Sequence, residues 1–164
     1  MSAIALLFFP LAMAFAASSD LLTMRISNNL VLLLAAGFVA MALFVELPLQ
    51  QFGMHVLCAL VVLVVAFGLF AMGWIGGGDA KLAAATTLWL GFGLTLPYLV
   101  YTALLGGVLT LLILTLRRLP MDFTALPWLA RLHDPKQGVP YGIAMAFAGL
   151  MTYTNTPIFE RLAS

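Results

Sequence analysis

Long apolar runs, cut by short stretches that carry charge, glycine or proline, follow one another along the whole chain. A helix needs about 20 mostly apolar residues to cross a bilayer, with roughly 17 to 25 tolerated. The runs between breaks predict six such segments, at 2–19, 29–46, 54–73, 80–95, 97–116 and 139–156. The fourth and fifth come from one stretch, Leu82 to Leu116, that contains no charge and is too long for a single ordinary span. Within it, the turn residues of GFGLTLP, Gly91 to Pro97, predict a tight hairpin. The pattern gives an all-α polytopic membrane protein with about six transmembrane helices in one membrane-embedded domain, residues 1–164.

Two segments fit this scheme less simply. The first, MSAIALLFFPLAMAFAASSD, has a small-residue pattern at Ala14-Phe15-Ala16 like a signal-peptide cleavage site, but no Lys or Arg precedes its apolar run. It is expected to remain as the first span. The connection RRLPMDFTALPWLARLHDPKQG is too polar to span and too apolar for a solvated loop. A short helix there puts Trp128, Leu129 and Leu132 on one side and Arg131 and His133 toward water, as at the headgroup level.

Charge sets the orientation. Of 164 residues, 64% are hydrophobic and 8% charged, against roughly 25% charged in a soluble domain. Six spans place Arg25, Lys81, Arg117, Arg118, Arg131 and Lys136 on one side and Arg161 alone on the other. The positive-inside rule makes the first side cytoplasmic, with both termini facing away from it. Merging the hairpin into one span would divide that basic set. The net charge of +1 leaves no basic surface for nucleic acid, so the lipid bilayer is the expected surroundings and nucleic acid is excluded as a partner. Cys58 is the only cysteine, and His55 and His133 fall in different segments, where both are expected as interfacial side chains. Neither a metal site nor a cofactor is expected.

An ionisable side chain in or near a bilayer is costly and calls for a partner or a task. Glu46, Glu160, Asp122 and Asp134 fall in predicted loops or tails. Asp20, at the end of the first span, and Asp79, at the start of the fourth, are both predicted at cytoplasmic helix ends, where they can meet. Two close carboxylates share a proton and titrate as a pair. Such a pair suits hydrolysis: one member takes a proton from water while the other donates to a carbonyl oxygen. No Ser/His or Cys/His set at matched depth offers a nucleophile instead. Gly76, Gly77 and Gly78, just before Asp79, are expected to allow positive φ and the close approach of an extended peptide. A helix break with an N-cap acid is the simpler reading of that run alone.

SDLLTMRISNNL (Ser19 to Leu30), GGGDAKL (Gly76 to Leu82) and GVPYGIAMAFAGL (Gly138 to Leu150) together resemble the type IV prepilin peptidases, especially the short form serving Flp-type (tight adherence) pili. The GxGD signature falls on Gly76 to Asp79, and Lys81 matches the lysine that commonly follows. The resemblance implies catalytic roles for Asp20 and Asp79, active-site support from Gly76, Gly77, Gly78 and Lys81, a prepilin substrate with a leader peptide and an apolar N-terminal helix, and an inner-membrane location. The chain reads Ile26-Ser27-Asn28 where the family usually has Ile-Pro-Asn. It lacks the paired cysteines and N-terminal insert of members that also N-methylate pilins, so the resemblance gives no support for methyl transfer. GxGD also occurs in preflagellin peptidases and presenilin-like proteases, and a small transporter or assembly subunit with proton-relaying aspartates is the alternative from outside the proteases.

Overall fold

The structure is a computed structural model that describes residues 2–119 and 127–163. These form seven helices: α1 (Ser2–Thr23), α2 (Asn28–Phe44), α3 (Leu49–Ala71), α4 (Gly77–Leu116), α5 (Pro127–His133), α6 (Tyr141–Tyr153) and α7 (Pro157–Ala163). No strand occurs among the described residues. Three helical stretches, Ala5–Thr23, Leu49–Ala71 and Gly77–Leu116, are long and apolar enough to cross a membrane, and α2 and α6 are shorter apolar helices. An all-helical chain suits lipid, where each backbone group must find its partner within the protein. Asp122 and the segment around it lie outside the described residues.

The uncharged stretch is broken where the sequence suggests, but by one residue. Gly91 alone leaves helical geometry, at φ 68° and ψ 179°. Gly93 and Pro97 continue in the helix rather than forming a loop. A straight helix would separate Thr86 from Tyr98 by about 18 Å. Their side chains instead lie together, so the arm 92–116 turns back along the arm 77–90.

A helix end in lipid leaves its last carbonyls in need of donors. His55 supplies one, with Nδ1 donating to Leu88 O at 2.8 Å. This fixes the proton on Nδ1, because a carbonyl only accepts. The ring stacks on Phe38 and closes against Gly91. His55 is therefore a buried clasp on the corner and not the interfacial side chain expected. Cys58 is also buried, with Sγ 3.1 Å from Thr95 Oγ1 on the second arm.

The core packs α1 and α2 against the first arm of α4, with α6 packed against both arms. Phe9, Trp89 and Tyr153 form its aromatic centre, where Trp89 Nε1 donates to Leu34 O at 3.0 Å. Helices gain little from hydrophobicity against equally apolar lipid, so association rests on close packing. Leu11, Leu32, Leu43, Val64, Leu96 and Leu111 point outward, as a lipid-facing surface requires.

Cations gather at one end. Arg131 donates to Leu22 O near the end of α1, Lys81 reaches Asn28 at the start of α2, and Arg117 reaches the backbone of Gln137 and Gly138 before α6. Arg161 lies at the opposite end, on the carbonyls of Val45 and Glu46. In α5 Leu132 is buried and Arg131 exposed, in line with the amphipathic pattern, but His133 is half-buried rather than turned to water.

Candidate functional site

An open cavity of about 1900 Å³ runs from the basic end of the molecule into its apolar middle. Asp20, Asp79, Arg25 and Asn28 line its polar end, and Val61, Val65, Leu69, Leu99 and Ala103 line its apolar side, which lies open between α3 and the second arm of α4. The structure thus brings the two singled-out aspartates to one cavity, near enough for the charge of Asp20 to act on Asp79. Asp20 lies one turn before the end of α1, since that helix runs on to Thr23. It is only 5% exposed, buried among α1, α4 and α6.

Asp79 occupies the third position of α4, after Gly76 at the N-cap. Its carboxylate turns back to accept a hydrogen bond from the Gly76 backbone N–H. This is half of a capping box, with the acid bonding to the N-cap amide. The three glycines work differently from the expectation. Gly76 is extended at φ −73° and ψ 145°, Gly77 and Gly78 are helical, and the positive φ in this region belongs to Gly73, at 76°. Their missing Cβ atoms make room inside the protein. A Cβ on Gly76 would lie 2.8 Å from Asp79 Oδ2, one on Gly77 3.2 Å from the Phe70 ring, and one on Gly78 3.3 Å from Ile26 Cβ. Gly78 accordingly seats the α1–α2 connection, and all three glycines line the cavity. Lys81 donates from Nζ to Asn28 Oδ1 at 2.9 Å and so ties that same connection to α4 without reaching either carboxylate.

The glycines therefore separate by effect. Gly76→Ala should move the Asp79 carboxyl by about 1 Å, a displacement that can cost roughly 100-fold in rate. Gly78→Ala should be nearly neutral, because Ile26 needs to yield only a few tenths of an ångström. The check is cleavage normalised to folded protein in membranes, and equal specific activities for the two variants would contradict this division.

Asp20 has a partner that sequence reading missed. Gly142 N–H donates to Asp20 Oδ2 at 2.7 Å from the first turn of α6. The only trace in the sequence is the PYG stretch, which carries a resemblance but no chemistry of its own. Each carboxylate thus faces the N-terminal turn of a helix, α4 for Asp79 and α6 for Asp20, where the dipole offers positive potential. Among the described residues, no three His, Cys, Asp or Glu side chains gather as a metal-ligand group.

Apolar helices around a cavity that opens between two carboxylates define a helical membrane protein with an acidic site at one end. Residues 7–111, which include both aspartates, match the type IV leader peptidase family, and the chain belongs to that family. No curated protein and no solved structure matches it.

Proposed function

We propose that this protein is a membrane aspartic endopeptidase that removes the leader of a type IV prepilin of the Flp type at the cytoplasmic face of the bacterial inner membrane. The observation that carries this reading is the convergence of Asp20 and Asp79 on one cavity in a chain of the leader peptidase family. The ionised carboxylate of the pair takes a proton from water, and the resulting hydroxide adds to the peptide carbonyl. The protonated carboxyl donates to the carbonyl oxygen, and the pair returns a proton to the departing amine as the C–N bond breaks. No covalent intermediate with the protein is needed. The polar end suits a leader in the cytoplasm, and the apolar side, open between α3 and the second arm of α4, suits the hydrophobic helix that follows it. The test is coexpression with a short-pilin precursor and measurement of its mass. Release of the leader is expected, and an unprocessed precursor overturns the reading.

Six membrane crossings accompany this proposal, with α4 crossing twice through its corner at Gly91. The gathered cations favour a cytoplasmic position for the site end. A reporter inserted beside Lys136 should then read cytoplasmic and one beside Glu46 periplasmic; the swapped pair would reverse the orientation, and two reporters on one side would change the number of crossings.

A further inference from the structure

Asp20 and Gly142 are 122 residues apart in the chain, yet the backbone of α6 holds the Asp20 carboxylate by a hydrogen bond of 2.7 Å. The fit is steric as well as polar. A Cβ on Gly142 would lie 2.8 Å from Asp20 Oδ2, 3.0 Å from its Cβ and 3.1 Å from its Cγ, all inside normal contact. The start of α6 is itself keyed from outside the carboxylate pair. The Tyr141 ring fills the notch left by Gly106, where a Cβ would collide with Cε1. Arg117 Nη2 holds Gln137 O at 2.9 Å and Gly138 O at 3.0 Å, just ahead of the helix. Gly142 also lies beyond residue 111, where the family match ends, so no part of its role is carried over from that match.

We infer that Gly142 is a positioning residue of the carboxylate pair: its N–H and its missing Cβ together fix where the Asp20 carboxyl group points across the cavity. The effect on cleavage rests on the peptidase reading above, whereas the seating of Asp20 does not. The collision created by a methyl group at 142 falls on the Asp20 side chain and on no backbone atom: Oδ2 and Cγ can swing away, and the contact with Cβ at 3.0 Å needs only a shift of a few tenths of an ångström. The fold therefore absorbs the change, and the reacting geometry does not. Gly76 and Asp79 stand in the same relation on α4, so each carboxyl group is held on a helix start from which a Cβ is missing.

Gly142→Ala should lower kcat for precursor cleavage by roughly 100-fold, the cost of misplacing a reacting group by about 1 Å, and leave KM unchanged. Gly107→Ala, one residue after the notch and facing open space, should cleave like the parent. A second measurement needs no turnover: labelling of carboxyl groups in membranes by dicyclohexylcarbodiimide, read by mass spectrometry. Asp20 should label severalfold faster relative to Asp79 in Gly142→Ala, because it has lost its amide donor and its buried seat. If Gly142→Ala melts below the parent, that loss should vanish in an Asp20→Gly background, where the carboxyl group and the Cβ 3.0 Å away are both gone. Parent-like cleavage with parent-like labelling overturns the inference, as does a melting loss that persists without Asp20. A parent protein that cleaves no precursor removes the peptidase reading, and the labelling ratio then decides the seating of Asp20 by itself.

Discussion

Asp79→Asn and Asp20→Asn are each expected to abolish leader cleavage while the protein still accumulates in membranes. Asparagine keeps the shape of aspartate, and its carbonyl oxygen still accepts a hydrogen bond. The substituted side chain at position 79 can therefore remain on the Gly76 amide, and the one at position 20 on the Gly142 amide, so the helix starts survive. What is lost is the capacity to take up and return a proton, and general acid–base catalysis contributes roughly 10²- to 10⁴-fold. Because the two groups act as a pair, the double variant should be little worse than either single one. Glutamate should fail as well, since its extra methylene advances the carboxyl by about 1 Å, a misplacement that can cost roughly 100-fold in rate. Mass analysis of a coexpressed precursor measures all of these variants. Near-normal processing by either asparagine variant would remove that residue from the chemistry.

The parts of this site that sequence could reveal are those governed by local patterns. Apolar runs mark helices because lipid admits few alternatives, and the charge-free length of Leu82 to Leu116 demands a break. The two aspartates stand out because charges are scarce in such a chain and costly within it. The details set by packing were hidden. Whether Gly91, Gly93 or Pro97 makes the turn depends on the ring of His55, which arrives from another helix. The run Gly76-Gly77-Gly78 looks the same whether its freedom serves positive φ or close contact, and only Phe70, Ile26 and the folded-back Asp79 carboxylate decide for contact. Gly142 was least legible, since a glycine 122 residues from its aspartate leaves no periodicity or spacing to read.

The corner at Gly91 should tolerate substitution poorly. Its φ of 68° with ψ of 179° lies in a region that is essentially closed to residues with a Cβ and costs on the order of 1–3 kcal/mol. A Cβ there would also sit 3.0 Å from His55 Cε1 and 3.1 Å from Nε2. Moving the ring breaks its 2.8 Å bond to Leu88 O, and an unsatisfied buried carbonyl costs about 1–3 kcal/mol more. These costs together approach the ~5–15 kcal/mol stability of an ordinary domain. Gly91→Val, whose β-branch adds further crowding, should therefore yield little folded protein, and Gly91→Ala a markedly lower melting temperature in detergent. Gly93→Ala is the matched control, because a Cβ two residues further on meets nothing within 4 Å. His55→Leu isolates the hydrogen bond and should fall between the two. If Gly91→Val instead melts like the parent, the arms of α4 are not held by this corner, and the crossing of the membrane by both arms loses its structural basis.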